Sequence, residues 1–144
     1  MIALPHDIAA LLPHDPPMIL LDEVLSCDAT AITAATTIGH GTVFLQQEGV
    51  PSYIGIEYMA QACGAYAGAH ALAAGEQVRV GYLLGTRRYD AHIAWFRRGD
   101  RLVIAAAVVY REGEMSVFDC RIEIGGRLAA AAQLNLYQPE APRR

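Results

Sequence analysis

The sequence contains no lysine, so all 11 basic residues of this 144-residue chain are arginines. Without a lysine amine the chain can form no lysine Schiff base, and it lacks the lysine of a phosphate-binding P-loop. Charged residues are also scarce, at 18% of the chain, while apolar residues make up 53%, which excludes a disordered protein and predicts one well-packed domain. The net charge of −4 argues against nucleic acid as a partner.

Cysteines and closely spaced histidines are few as well. The three cysteines, Cys27, Cys63 and Cys120, are too few and too scattered for a disulfide framework or a zinc site. This cysteine usage is typical of proteins in the reducing cytoplasm. The five histidines form no HxH or HxxxH pair, so we expect no metal site.

Long apolar runs are missing too. The longest one, residues 102–110, reaches only half the length of a membrane span, which needs about 20 residues. The first 15 residues include Asp7 and Asp15 and no lysine or arginine, so we expect no secretory signal there.

One long helix is predicted over residues 55–74. Apolar residues recur there at helical spacing, and Gly75 follows where a helix commonly stops. The segment is rich in alanine and glycine, including Gly64 and Gly68, which lower helix propensity but let neighbouring backbone come close. We therefore interpret this helix as buried inside the fold.

Most of the remaining chain is strand-like. Residues 116–124 and 128–136 alternate, while residues 78–85 are apolar and residues 101–111 are apolar on both faces, as in a central strand. Gly125 and Gly126 predict a two-residue hairpin, and residues 7–12 a short helix. One helix is too few for a parallel sheet, so the predicted fold class is α+β, with an antiparallel six-stranded sheet wrapped around one central helix. We expect a single domain over residues 1–138 and a flexible tail over 139–144. The predicted strands are 18–27, 31–38, 78–85, 101–111, 116–124 and 128–136.

Three motifs of this sequence resemble those of a known protein family. LLPHDPPMILLDEV (residues 11–24) is similar to the L-P-H-x-x-P-x-x-L-x-D opening of the 3-hydroxyacyl-[acyl-carrier-protein] dehydratases. GVPSYIGIEYMAQACGAYAG (residues 49–68) resembles the P-x5-E-x-M-A-Q central helix of that family, and RRGDRL (residues 97–102) resembles its P-G-D-x-L entry to the next strand. The V-P-x-x-x-x-I-E-x-M-A-Q form of the helix is similar to the dehydratase-like subunit of aryl-polyene gene clusters.

The resemblance implies a hot-dog fold and the elimination of water from a 3-hydroxyacyl thioester in fatty-acid or polyene biosynthesis. The substrate would be carried on the phosphopantetheine of an acyl carrier protein or on coenzyme A, with no further cofactor and no metal. It also implies a dimer, either a homodimer or a heterodimer with a second hot-dog subunit.

One residue departs from the family pattern. The dehydratases carry a catalytic histidine in H-F-P-G, eight residues before the proline that matches Pro51, and this position is Val43 here. Phe44 matches the phenylalanine that follows. We therefore predict that a partner subunit supplies the histidine, while this chain supplies an acid.

Glu57 is the candidate acid, because it matches the family's helix carboxylate and lies in the first helical turn, where free amide groups favour an anion. Complementing the helix dipole is the alternative role for this carboxylate. His14 and His40 are the candidate catalytic histidines of this chain, although both lie in segments that also fit turns. Gln61 lies one turn after Glu57 and can orient the carboxyl group or a water. The residues expected to bind substrate are Gly55, Gln61, Phe44 and Pro51.

Two arginine clusters lie within fifteen residues of each other on this acidic chain. They can form a solvated edge, or a docking patch for an acidic carrier protein or a phosphate group. The residues are Arg87, Arg88, Arg97, Arg98 and Arg101, of which the first four are the predicted docking set.

Two other functions remain open at this stage. Some hot-dog thioesterases use a helix carboxylate alone, so the missing histidine would be no defect in such an enzyme. A non-catalytic acyl-binding subunit would hold acyl chains without turnover. Release of free thiol distinguishes a thioesterase from a dehydratase, which leaves the thioester intact.

Overall fold

The structure is a computed structural model that describes residue 2 and residues 7–13 and 18–139. Its main element is a six-stranded antiparallel sheet with the order β1-β2-β6-β7-β8-β4, and a two-stranded ribbon pairs β3 with β5. The strands are β1 (Glu23–Cys27), β2 (Ala31–Thr37), β3 (Val50–Pro51), β4 (Tyr82–Ala91), β5 (Trp95–Phe96), β6 (Arg101–Glu112), β7 (Met115–Ile124) and β8 (Arg127–Tyr137).

In the part of the chain that the structure describes, one α-helix, α1 (Gly55–Ala73), lies against the inner face of this sheet. Its side chains are buried around most of its circumference, as the alanine-rich and glycine-rich sequence predicted. The inner face of the sheet supplies the opposing core from alternate positions of each strand, such as Ile104, Phe118, Ile122 and Leu134. The six-stranded antiparallel sheet around one helix confirms the predicted arrangement.

The N-terminal segment crosses the outer side of α1 at its glycines. A methyl group on Gly68 would overlap the carbonyl oxygen of Leu11, so only glycine allows this approach. One turn earlier, a Cβ at Gly64 would lie 3.4 Å from a methyl carbon of Leu12, which is ordinary contact. The predicted close approach of neighbouring backbone to the helix is therefore confirmed at Gly68.

The hairpin between β7 and β8 also forms as predicted. Gly125 and Gly126 have φ angles of 58° and 78°, the left-handed values that a two-residue type I′ turn requires. This turn sets the register of β7 against β8, and β7 pairs with β6 on its other side.

Three predicted boundaries were wrong. The first strand begins at Glu23 and not at residue 18, because the backbone of residues 18 and 20 hydrogen bonds to a helix side chain instead of to a strand. The predicted strand 78–85 is Tyr82–Ala91, an edge strand whose charged residues mask the alternation. Residues 7–12 form only a 3-10 turn at Ile8–Ala10.

The ends of the chain are described only in part. Of the predicted tail over residues 139–144, only Pro139 lies within the described residues. Positions 14–17 of the opening motif lie outside them. Across the described residues, no helix is both long enough and apolar enough to cross a membrane.

Candidate active site

A cavity of about 350 Å³ lies beside α1. The helix contributes its least covered stripe, which consists of Glu57, Ala60, Gly64 and Ala67 at spacings of three and four residues. The opposite wall comes from β4, β7 and β8, with Leu83, Phe118 and Leu136 among its residues. The cavity is therefore an elongated space between the helix and the sheet, with a carboxylate at one end.

Glu57 is the only acidic residue in the first turn of α1. The helix has no side-chain cap at its N-terminus, and the amide of Gly55 donates to the carbonyl oxygen of Ser52. The carboxylate is exposed in the single chain, although the helix that carries it is buried as predicted. Its position fits both the catalytic role and the helix-dipole role predicted for it.

Gln61 lies one turn after Glu57 and lines the same cavity, but its amide is already engaged. Its Oε1 accepts a hydrogen bond from the backbone amide of Leu20 at 2.8 Å, and its Nε2 donates to the carbonyl oxygen of Met18 at 2.6 Å. With only 4% of the residue exposed, Gln61 attaches the N-terminal segment to the helix. Its role in binding substrate stays a prediction.

Pro51 and Gly55 form the entry to the helix. Pro51 is buried in β3 opposite Trp95, and a 3-10 turn over Ser52–Ile54 leads directly into Gly55. A methyl group on Gly55 would overlap the hydroxyl group of Tyr89, so glycine is needed here for packing. Packing against Tyr89 therefore explains the glycine at this position, in addition to its predicted role in binding substrate.

Tyr89 is a residue that the sequence analysis missed. Its hydroxyl group donates a short hydrogen bond to the carbonyl oxygen of Ser52, which ties β4 to the turn before the helix. Burial raises the pKa of Tyr89 to about 12, so the hydroxyl stays protonated and remains a donor at neutral pH. Only the observed path of β4, and no local motif, brings this side chain to the helix start.

The loop between β2 and β3 carries the other predicted residues away from this cavity. His40 is exposed in a turn, with Gly41 at φ 86°, and it does not line the cavity. Val43, at the position of the family's histidine, packs partly buried against the core. Phe44 is 42% exposed and has a φ of 69°, a left-handed value that is uncommon for a non-glycine residue. His14 lies outside the described residues.

The five arginines of the two clusters do not form one patch. Arg87 and Arg88 line a depression on β4, β7 and β8, where Arg88 lies 3.8 Å from Asp90. Arg97 lines a neighbouring depression, and Arg98 is exposed beside it in sequence. Arg101 instead donates a hydrogen bond of 2.9 Å to Glu23 on β1.

Two further arginines, which the sequence analysis did not single out, line the cavity of Glu57 itself. Arg79 precedes β4, and Arg111 lies near the end of β6. Both are isolated in the sequence. The pairing of β6 with β7 brings Arg111 to the cavity, and the segment before β4 brings Arg79. The sequence offered no signal for this pairing.

Cys63 also lines the cavity, and its Sγ lies 3.7 Å from the Sγ of Cys120 on β7. Burial, with Cys120 beside it, raises the pKa of Cys63 well above its usual range. The thiol therefore stays protonated at neutral pH, and it is a core residue and not a nucleophile toward a thioester. Among the described residues, no group of three or more His, Cys, Asp or Glu side chains could hold a metal ion.

Comparison with known proteins agrees with the motif resemblance. The chain matches the ApeP-like family, described as ApeP dehydratase, over residues 6–144. It is 27% identical over 147 residues to the 3-hydroxyacyl-[acyl-carrier-protein] dehydratase FabZ of Psychrobacter arcticus, covering 94% of this chain and 96% of that protein.

Solved structures give the same result. A chain of the dehydratase heterocomplex ApeI:P from Xenorhabdus doucetiae has a TM-score of 0.89 and 29% identity, with 96% of this chain and 93% of that chain covered. A hypothetical thioesterase with coenzyme A from Streptococcus pneumoniae TIGR4 has a TM-score of 0.66 over 84% of this chain and 88% of that chain; at 15% identity it shows the shared fold alone.

The motifs, the antiparallel sheet around α1 and these relatives agree over nearly the whole chain. The predicted hot-dog fold and the predicted family resemblance are confirmed. The chain belongs to the ApeP-like family of dehydratases.

Proposed function

We propose that this chain is the acid-bearing subunit of a two-subunit dehydratase, in which a second hot-dog subunit supplies the catalytic histidine. One observation carries the proposal: Glu57 lines the cavity, while no histidine does so among the described residues. Val43 occupies the family position of the histidine and packs against the core. The chain thus presents half of the acid–base pair that the family uses.

The reaction assigns a task to each group. The partner's histidine removes the α-proton of the 3-hydroxyacyl thioester, and Glu57 donates a proton to the departing hydroxyl group, which leaves as water. The electron pair of the broken C–H bond forms the carbon–carbon double bond. The amides that follow Gly55 in the first turn of α1, which has no side-chain cap, would stabilise negative charge on the thioester oxygen.

The partner subunit would dock on β4 of this chain, which is an edge strand of the sheet. This strand is last in the sheet order, so only its pairing with β8 is filled among the described strands. Tyr82, Leu83 and Leu84 are exposed on it by 53%, 37% and 56%. Addition of a partner strand would cover these apolar side chains and continue the sheet. The heterocomplex to which the chain is similar supports a second subunit of this kind.

Leu84→Glu tests this edge. The substitution should prevent association with the partner, because it places a charge in the strand pairing, and it should leave the fold of the chain intact. Leu128→Glu is the matched control, since Leu128 is 46% exposed on β8, away from the edge. Analytical ultracentrifugation of each variant with the partner gives the result. Equal association of both variants would show that the partner docks elsewhere.

The substrate carrier in this proposal is an acyl carrier protein in the cytoplasm, where the three free cysteines stay reduced. The exposed Arg87, Arg88, Arg97 and Arg98 are the candidate contacts to its acidic surface. Charge reversal at Arg87 and Arg97 should raise KM for a carrier-bound substrate and leave KM for a pantetheine thioester unchanged. A KM that rises equally for both substrates would remove these arginines from carrier docking.

The function itself is tested by product analysis. The chain alone should dehydrate a 3-hydroxyacyl carrier substrate negligibly, and addition of a histidine-bearing hot-dog partner should restore turnover. Glu57→Gln should remove that activity, with Glu48→Gln as the control on an exposed loop carboxylate. Normal turnover by the chain alone would refute the need for a partner. Free thiol as the product would indicate a thioesterase, and no turnover with any partner would indicate a non-catalytic acyl-binding subunit.

A further inference from the structure

The cavity beside α1 has two chemically different ends. Glu57 marks one end, and Ala67 lies ten residues further along the helix, about 15 Å away at the helical rise. The helix runs from Ile122, which lies beside Gly55, toward Phe118, whose ring packs 5.4 Å from that of Tyr66. The far end of the cavity therefore lies beside the start of β7.

At that far end, the register of four strands aligns one row of side chains. Leu83 lies opposite Leu136, Leu136 opposite Ser116, and Ser116 opposite Arg111. Arg79 joins the same end from the segment before β4. Its Nη1 donates to the carbonyl oxygen of Pro139 at 3.2 Å, and its own carbonyl oxygen accepts from Nε2 of Gln138 at 3.0 Å, so the residue is held in place.

Among the described residues, the charge at this end is positive on balance. Arg79, Arg111 and Glu114 line it, which gives two guanidinium groups and one carboxylate. Within the described ranges, the ion pairs involve Arg88, Arg101 and Arg121, and neither Arg79 nor Arg111 pairs with a carboxylate there. A guanidinium group carries five N–H donors, and the hydrogen bond from Arg79 to Pro139 uses one of them, so donors remain for an oxygen atom that enters the cavity.

Between the two ends, Ala60 and Phe118 present apolar side chains, and the amide of Gln61 is already bonded to the backbone of Met18 and Leu20. A pantetheine arm carries amide groups that such a wall would leave without partners, whereas an acyl chain carries none. The geometry points to an acyl chain that lies along this wall, with its thioester at Glu57 and its far end at the arginines. Resting on the proposed function, we propose that Arg79 and Arg111 select acyl chains that end in an oxygen acceptor over chains that end in a methyl group.

A matched set of substrates tests this selection. Three 3-hydroxyacyl thioesters of equal length, on one carrier, would end in a methyl, a hydroxyl or a carboxylate group. With the partner present, kcat/KM should be roughly tenfold higher for the oxygen-terminated chains, the effect of one charged hydrogen bond. If kcat/KM rises for the carboxylate-terminated chain alone, the arginines select negative charge. If it rises for the hydroxyl-terminated chain as well, they select an acceptor oxygen.

The arginine variants separate this role from carrier binding. Arg79→Leu and Arg111→Leu should lower kcat/KM for the oxygen-terminated chains and leave the methyl-terminated chain unchanged. Arg101→Leu, on β6 and paired with Glu23, is the control and should change none of the three. An equal loss for all three chains would place the arginines on the carrier arm and overturn the proposal, as would a wild type without preference.

Equilibrium binding separates this proposal from the proposed function, because it needs no turnover. Calorimetry on the full chain would compare a dicarboxylic acid with the monocarboxylic fatty acid of equal length. Tighter binding of the dicarboxylic acid that disappears in Arg111→Leu supports the selection even where dehydration fails. Equal binding of the two acids to the wild-type chain contradicts it.

Discussion

Gly68 of α1 lies directly against the carbonyl oxygen of Leu11, so that the N-terminal segment rests on the helix backbone itself. Four residues earlier, Gly64 faces a methyl group of Leu12 at ordinary contact distance from the place of a Cβ. Of these two glycines, one turn apart on the same helix, only Gly68 is required by a close contact with backbone.

We expect Gly68→Ala to lower the free energy of unfolding by about 2 kcal/mol, because the added methyl group must displace backbone. Gly64→Ala should be neutral or stabilising by up to about 1 kcal/mol, since alanine favours the helix and its Cβ meets only a flexible side chain. Urea unfolding of both variants measures the difference. Equal stabilities would mean that the N-terminal segment does not rest on Gly68.

Gln61 gives a second prediction, because its amide serves the backbone at both Met18 and Leu20. Gln61→Leu should cost about 2 kcal/mol of stability, since a buried donor and a buried acceptor both lose their partner. Hydrogen exchange at the Leu20 amide should accelerate along with it. A variant of unchanged stability and exchange but reduced activity would instead support the predicted substrate role of Gln61.

Tyr58 predicts a loss of stability in alkali. Burial, with the charge of Asp22 nearby, raises the pKa of Tyr58 from its usual 10.0 to about 12. The folded chain thus holds this proton more tightly than the unfolded chain does. The resulting stability is complete below pH 10, falls as the pH rises toward 12, and should decline less in Tyr58→Phe when urea midpoints are followed against pH.

The same variant has an expected effect at neutral pH. The Tyr58 hydroxyl group is buried and has no hydrogen-bond partner among the described residues, so Tyr58→Phe should stabilise the chain by about 1 kcal/mol. Tyr66→Phe is the control, because the Tyr66 hydroxyl donates to the carbonyl oxygen of Ala29 at 2.6 Å. That variant should be destabilised by about 1 kcal/mol. A destabilised Tyr58→Phe would reveal a partner for the hydroxyl group.

Much of the fold could be predicted from local patterns. Alternation marks β7 and β8 because one face of each strand is buried, a continuous apolar run marks the central strand β6, and the glycines of α1 indicate a helix with close neighbours. The pattern failed at β4 because an edge strand has to satisfy only one neighbour and tolerates the polar run from Arg87 to Asp90.

The candidate site was predictable only as far as it lies on one helix. Glu57 and Gln61 are four residues apart, so their shared face follows from helix geometry. Tyr89, Arg79 and Arg111 reach the helix through the path of β4 and the register of β6, which no local spacing in the sequence encodes. The hydrogen-bond partners of the Gln61 amide could not be predicted for the same reason, since they lie 41 and 43 residues away in the chain.

Val43 allows a direct test of the missing histidine. In Val43→His, two copies of the chain that associate through β4 would each offer an imidazole and a Glu57 carboxylate, so we expect the chain alone to gain measurable dehydratase turnover. The cost in stability should be about 1 kcal/mol, because Val43 is only partly buried against the core. Addition of Glu57→Gln should abolish the gained activity, and Val43→Asn, a polar control without a basic ring, should gain none. A folded, dimeric Val43→His chain without turnover would show that the loop around Phe44, with its φ of 69°, withholds the imidazole from the carboxylate, and that the partner supplies the shape of this loop as well as the base.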